Sequence, residues 1–280
     1  MTAQSIGKVY LVGAGPGDPE LITLKGKRCL EAAHVVLYDE LANCELLRFA
    51  PGDAELVYVG KKAGADCADQ REIEALLISH ARRGKNVVRL KGGDPFLFGR
   101  GGEEMVALRA AGILCEVVPG VSAALAGPAS AGIPITYRGL SSSLAIVTGH
   151  RAPGNSGAIK WGELARSVDT LVILMGLGNL REIMSCLLNG GCLRNHPAAL
   201  IQSGTLPMQK TVIGTVATIA DLAEQAGITS PTVIVVGRVA RLQCDDSCPS
   251  EVRRQPESEV AMRAIGQLLT SMARADDYDA

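Results

Sequence analysis

The sequence predicts an α/β protein built of two consecutive α/β domains, and three observations carry that prediction. Short apolar runs of strand length alternate with helical patterns from Lys8 to Val118. Pro119-Gly120 then breaks the alternation. A second series runs from Leu144 to Val236 and contains two strand-like runs, Ala198 to Gln202 and Gln209 to Ile213, too close together for a crossover helix. The predicted domains are therefore residues 1–119 and 120–243, followed by a polar tail, 244–280, with room for a short helix.

In the first domain, Lys8 to Val12 reads as a strand that runs into Gly13-Ala14-Gly15-Pro16-Gly17-Asp18-Pro19, with a helix over Glu20 to Ala33. Strands follow at Val35 to Tyr38 and Glu55 to Val59, a helix at Arg71 to Arg83, and a strand at Val87 to Leu90. A helix over Glu103 to Ala111 and a strand over Leu114 to Val118 complete a doubly wound unit. Val121 to Ala131 is rich in small residues and reads as a helix that Ile133-Pro134 ends; Thr136 to Ser143 reads as a loop. The second series comprises a strand at Leu144 to Thr148, a helix near Trp161 to Arg166, a strand at Thr170 to Met175 and a helix at Leu180 to Leu188. After the close strand pair come a helix over Val216 to Ala226 and a strand over Thr232 to Val236. In the tail, Ile265, Leu268, Leu269 and Met272 share one helical face, which suits a packing or dimer element as well as a frayed end.

Composition narrows the function classes. With 47% hydrophobic and 20% charged residues the 280-residue chain is globular rather than disordered. A net charge of -1 speaks against a general nucleic-acid binder. No apolar run approaches the ~20 residues of a membrane span. Met1 to Lys8 lacks a charged-then-apolar signal pattern, so the default location is the cytoplasm. The cysteines form no C-x-x-C pair and the histidines no H-E-x-x-H pair, so neither a metal nor a disulfide is expected; Cys29 and Cys115 read as reduced core residues.

The stretch with most chemical content is Val87 to Glu104. A buried-strand pattern breaks into Gly92-Gly93-Asp94-Pro95, then Phe96-Leu97-Phe98-Gly99-Arg100, and Glu103 and Glu104 begin a helix whose dipole favours acids. Ligands of open α/β sheets bind outside the carboxyl ends of strands, and glycines there let backbone approach a flat group closely. The first glycine loop imitates a dinucleotide fingerprint, but the third glycine of G-x-G-x-x-G would fall at Asp18 and Pro16 removes a backbone donor. Asp39, at a strand end about twenty residues beyond those glycines, would suit the ribose of NAD or simply cap the next segment. Gly60-Lys61 imitates the end of a phosphate loop without the required preceding glycine.

These same strings carry a resemblance. Gly13-Ala14-Gly15-Pro16-Gly17-Asp18-Pro19, Leu37-Tyr38-Asp39, Val59-Gly60-Lys61, Val88-Arg89-Leu90-Lys91-Gly92-Gly93-Asp94-Pro95-Phe96, Val118-Pro119-Gly120, Gly132-Ile133-Pro134, Val147-Thr148-Gly149-His150 and Met175-Gly176-Leu177 are similar to those of the tetrapyrrole methylase family. Within it they resemble the members that act on uroporphyrinogen III, from about Lys8 to Leu242. The resemblance implies two α/β domains with S-adenosyl-L-methionine in the cleft between them, S-adenosyl-L-homocysteine as product, and a homodimer. It implies methylation of uroporphyrinogen III at C2 and C7 to give precorrin-2, which feeds sirohaem and cobalamin. By matched position, Pro16, Gly92, Gly93, Asp94, Leu97, Ser122, Ala123, Met175, Gly204 and Thr232 would bind the cofactor. Asp39 and Lys61 would accept and donate protons. The macrocycle carries eight carboxylates, and the loop arginines Arg100 and Arg138 are the residues expected to grip them. A later corrin methylase, such as one acting on precorrin-4, is the alternative enzyme; an NAD-type nucleotide-binding module is the alternative class.

Overall fold

The computed structural model describes residues 6–60, 70–150 and 159–242. All belong to one compact unit, Met1–Gln243, which contains two five-stranded sheets.

The first sheet comprises β1 (Val9–Gly13), β2 (Val35–Tyr38), β3 (Glu55–Tyr58), β4 (Val87–Lys91) and β5 (Cys115–Val118) in the order β3-β2-β4-β1-β5. Every pairing is parallel, as βα connections demand. The helices are α1 (Leu24–Glu31), α2 (Gln70–Arg82) and α3 (Gly101–Ala110). Strand alternation divides the core in two. Val9, Leu11, Leu37 and Val87 pack with Ile73 and Leu77 of α2 and Leu108 of α3. Val12, Val36, Val88 and Leu90 face the other way, onto Leu30 of α1 and onto Leu46. A fully buried leucine such as Leu77 contributes roughly 1.5–3 kcal/mol.

After β5 the chain crosses to α4 (Ala123–Ser130), whose Ser122 cap accepts a bond from the amide of Ala124. The second sheet follows: β6 (Leu144–Thr148), β7 (Thr170–Leu174), β8 (Pro197–Gln202), β9 (Lys210–Thr215) and β10 (Thr232–Gly237), ordered β6-β7-β10-β8-β9. Only β6 and β7 are parallel; β8 and β9 form the antiparallel pair that their close spacing predicts. One face is covered by α5 (Trp161–Ser167), α6 (Leu180–Asn189) and α7 (Ile219–Gln225), with Ile173, Leu200 and Ile234 at the contact. The other packs on α4 through Val172, Ala199, Ile201, Val233 and Val235.

Element boundaries differ from expectation where a better cap or a sheet partner competes. The helix expected from Glu20 begins at Leu24, because the Thr23 hydroxyl accepts from Gly26 N and Asp18 caps a separate 3-10 turn, Pro19–Leu21. The helix expected from Val216 begins at Ile219, since β9 keeps pairing with β8 through Thr215. A 3-10 segment, Cys44–Phe49, capped by Asn43, is too short to show a period in sequence.

Candidate functional site

The turns that follow β1, β4 and β5 meet at the carboxyl end of the first sheet. Gly93 N donates to Gly15 O at 2.7 Å and Gly15 N to Gly93 O at 3.3 Å, an isolated bridge between two loops. Asp94 fastens the third loop, its Oδ2 accepting from Gly120 N at 3.0 Å and its Oδ1 from Phe96 N at 2.8 Å. A side chain at Gly120 would place its Cβ 2.2 Å from Gly93 O. The glycines of the first loop thus serve loop packing, and no phosphate cradle forms from them. Pro16 lies at the same junction; the neighbouring Asp18 N donates to Thr205 Oγ1 of the β8–β9 connection at 3.1 Å.

Gly92 and Gly93 have different reasons to be glycine. At Gly92 a Cβ would stand 2.6 Å from Leu41 Cβ, so that side is filled by the protein itself. The close approach that requires glycine at position 92 is that of Leu41. Gly93 has φ +66°, the left-handed region, and its missing side chain faces only Ser122 Cα at 3.8 Å and Ala123 N at 3.9 Å. The open approach is therefore at Gly93, against the start of α4.

Beneath this rim lies a charged group that sequence reasoning missed. On β4, Val87, Arg89 and Lys91 point to the α2–α3 side, and at Arg89 the apolar core gives way to charge. Arg89 and Lys91 are 3% and 4% exposed. Glu104 of α3 is fully buried, and its Oε1 accepts from Lys91 Nζ at 2.9 Å, Gln70 Nε2 at 3.1 Å and Arg89 Nε at 3.4 Å. Arg89 also donates to Leu90 O at 2.9 Å and, through Nη2, to Asp39 Oδ2 at 2.7 Å. Asp39 stands at the end of β2 with its side chain 24% exposed, and its Oδ1 accepts from Leu41 N at 3.1 Å. One oxygen caps, as the cap reading of Asp39 expects, while the other meets a buried guanidinium that no reading of the sequence included. The two acids balance the two cations, which is the condition for burying charge. Burial, reinforced by the Arg89 charge, holds the Lys91 ammonium below its usual pKa, and Glu104 opposes the shift. The sequence signal was available, because two cations on alternate positions of a central parallel strand require buried partners.

The remaining expected residues sort by position. Leu97 and Ala123 pack against the second-sheet core, so the β4 turn and α4 share that surface. Met175, just beyond β7, has φ +55° and is 53% exposed, an apolar side chain left uncovered on a strained backbone. Carrying the Ile234–Ile173 register two residues further brings Thr232 opposite Met175, and Thr232 pairs with Gln202 on its other side. Thr232 Oγ1 donates to Thr229 O at 2.6 Å. Gly204 follows β8 and abuts α4, where a Cβ would lie 2.8 Å from Gly127 Cα. Arg100 is exposed, in left-handed backbone, and is gripped by Glu103 at 2.7 and 3.0 Å; that pair raises the arginine pKa and lowers the acid's. Arg138 is exposed in the Tyr137–Ser141 turn. Lys61 lies outside the described residues. Among the described residues no cluster of three or more His, Cys, Asp or Glu could hold a metal, and no helix is long and apolar enough to cross a membrane.

Comparison with known proteins agrees with this architecture. The model of the Tetrapyrrole (Corrin/Porphyrin) Methylases matches residues 8–220. A uroporphyrinogen-III C-methyltransferase of Priestia megaterium is 50% identical over 234 residues, spanning 84% of this chain and 98% of its own length. The crystal structure of uroporphyrin-III C-methyl transferase from Thermus thermophilus, complexed with S-adenyl homocysteine, superposes with TM-score 0.73 at 44% identity, covering 84% of this chain and all of that one. A cobalt precorrin-4 methyltransferase structure gives the same TM-score at 30% identity over 83% of this chain and 95% of its own. Two α/β sheets joined through α4, the glycine turn at their junction and these similarities lead to one conclusion: the chain belongs to the tetrapyrrole (corrin/porphyrin) methylase family.

Proposed function

We propose that this protein is an S-adenosyl-L-methionine-dependent methyltransferase that methylates uroporphyrinogen III at C2 and C7, giving precorrin-2 for sirohaem and cobalamin synthesis. The observation that carries the reading is the juxtaposition at one rim of the open face of Gly93 and the Asp39–Arg89 pair. The higher identity to a uroporphyrinogen-III methyltransferase than to the precorrin-4 enzyme supports this substrate over the later corrin intermediate. The packed glycines of the first loop speak against a dinucleotide site.

The residues present suit the cofactor. Gly93 leaves room beside Ser122 and Ala123 where a side chain would stand, and Leu97 and Met175 offer apolar surface. Pro16, Gly92, Asp94, Gly204 and Thr232 would complete the pocket, Asp94 through the loops it ties and Gly92 by letting Leu41 close over it. When bound, S-adenosyl-L-methionine supplies an electrophilic methyl group. The protein's own task is to orient the pyrrole and to manage charge and protons. A methylated pyrrole carbon leaves the ring cationic, and a proton must depart before the neutral product forms. Asp39 is the proposed acceptor or counter-charge, steadied by Arg89. Lys61 is proposed as donor on the resemblance alone. Arg100 and Arg138 are proposed to hold substrate carboxylates, Arg100 by exchanging Glu103 for a propionate or acetate of the ring.

We also propose that 1–119 and 120–243 act as the two halves of the cleft, that the protein works as a homodimer, and that it resides in the cytoplasm. A reducing compartment suits the free thiols Cys29, Cys44, Cys115, Cys186 and Cys192. Sedimentation and cell fractionation test the last two statements. The decisive experiment is anaerobic incubation with uroporphyrinogen III and S-adenosyl-L-methionine, read by product mass. Two added methyl groups are expected. A product only from precorrin-4, or NAD binding without S-adenosyl-L-homocysteine binding, overturns the proposal.

A further inference from the structure

Glu104 is the hub of the buried charge network but stands away from the rim, and the proposed chemistry makes no direct use of it. Its Oε1 gathers three donors, from Gln70, Arg89 and Lys91, while its Oε2 is buried with no hydrogen-bond partner among the described residues. A buried carboxylate oxygen without a donor keeps the full cost of its lost hydration. A site arranged only for stability would satisfy both oxygens or use an apolar side chain. What the arrangement achieves is orientation. Arg89 spends Nε on Glu104, Nη1 on Leu90 O and Nη2 on Asp39, so its guanidinium plane is fixed at three points. Of these anchors only Glu104 is both charged and fully buried, so it is the one counter-charge that solvent cannot replace.

We propose that Glu104 is a positioning residue for the methyl-transfer reaction: by holding Arg89 it fixes the Asp39 carboxylate at the rim. The inference rests on the reading of Asp39 given above. Lys91 then serves as the second cation that keeps the buried group neutral. The path runs from α3 through β4 to the end of β2, and links helix packing to substrate chemistry.

The test compares Glu104→Gln, which keeps the shape and removes the charge, with the charge-balanced double variant Lys91→Met/Glu104→Met. Wild type and Asp39→Asn are run beside them, each with S-adenosyl-L-homocysteine titration and thermal melting. Glu104→Gln should lower kcat by about tenfold or more, with the Michaelis constant for the tetrapyrrole and the S-adenosyl-L-homocysteine affinity changed less than about threefold. In the Asp39→Asn background the same substitution should lower kcat by less than about twofold, because the group it positions is gone. The double variant should also lose turnover although no buried charge is left unpaired. Should Glu104→Gln fail to fold, the double variant decides alone. Wild-type turnover in the double variant, equal losses with and without Asp39, or a parallel loss of S-adenosyl-L-homocysteine affinity each overturn the proposal. If wild type adds no methyl groups to uroporphyrinogen III, or Asp39→Asn turns over normally, the functional reading has failed and this inference goes with it. If both controls behave and only the Glu104 variants are silent, the inference alone has failed.

Discussion

The central strands of the two sheets, β4 and β10, end differently. β4 is apolar for two residues and then carries Arg89 and Lys91, both buried. β10 is buried throughout and apolar from Val233 to Val236, with only the Thr232 hydroxyl at its start. The first sheet accepts the cost of four charges at its carboxyl end, where Asp39, Arg89, Lys91 and Glu104 form one neutral group. The second sheet bears no such load and presents apolar Met175 and turn backbone at Gly204 instead. The contrast teaches a division of labour. If the proposed site is right, the first sheet carries the charge at the rim, and the second adds apolar Met175 and turn backbone beside the first sheet's glycine turn.

The strongest way to break that comparison is Asp39→Asn. Turnover should fall by roughly 10²–10⁴-fold, as for acid–base groups, while S-adenosyl-L-homocysteine affinity stays near wild type. Asparagine keeps an Oδ1 that accepts from Leu41 N, so the cap and its share of stability should stay nearly unchanged. Single-turnover assays and melting curves read the two effects separately. Unchanged turnover would reduce Asp39 to a cap and remove proton chemistry from the first sheet.

The second prediction moves to the glycine turn beside α4. Gly93→Val puts a branched side chain in left-handed backbone facing Ser122 and Ala123. Affinity for S-adenosyl-L-homocysteine, measured by calorimetry, should fall at least tenfold, about 1.4 kcal/mol. Gly92→Ala should act differently, chiefly on stability, since its Cβ meets Leu41 rather than open space. Equal effects of both variants on affinity would mean that the two glycines share one role.

Most of the fold was legible because hydrophobic periodicity is local. Every strand of both sheets follows from an apolar run, and the β8–β9 hairpin from its spacing. The charged network was not legible as a unit. Arg89, Lys91, Glu104 and Asp39 come from three different elements, and only the β2–β4 and α3–β4 contacts bring them together. Reading Glu104 as an acid favoured by the helix dipole explains its place in the first turn but not its complete burial. The Gly-Gly-Asp turn was legible as a turn, but its contacts within the protein were not: Asp94 ties Gly120, and Gly92 admits Leu41.

The third prediction concerns the exposed arginine of the same loop. Arg100→Ala should raise the Michaelis constant for the tetrapyrrole by a few-fold and leave that for the cofactor unchanged. The effect is modest because the guanidinium must first release Glu103, an exposed i,i+3 pair of about 0.5 kcal/mol. Stability should change by no more than that. An equal rise in both Michaelis constants would show that Arg100 shapes the loop rather than gripping substrate.

The smallest expected effect lies on the first sheet away from its rim, at Glu116 of β5. Its carboxylate accepts from Lys25 at 2.5 Å and also from Lys8, and these bonds pull its pKa from the ordinary 4.5 down to about 2. A carboxyl group whose folded pKa is depressed binds its proton more readily in the unfolded chain. Its stabilising contribution is therefore complete above pH 4.5 and is lost as the pH falls from there toward about 2. The three side chains are all partly exposed, so screening by water and salt limits the contribution to about 0.5 kcal/mol. Glu116→Gln should consequently lower stability by that amount at pH 7 and by a clearly smaller amount at pH 2.5, and added salt should shrink the difference at pH 7. Turnover should be untouched, because no member of this cluster touches the Asp39–Arg89–Glu104–Lys91 group. Denaturant titration at the two pH values, paired with the methylation assay, reads both claims. A large loss of turnover in Glu116→Gln would show that charge anywhere on the first sheet reaches the site, and the rim would lose its special standing.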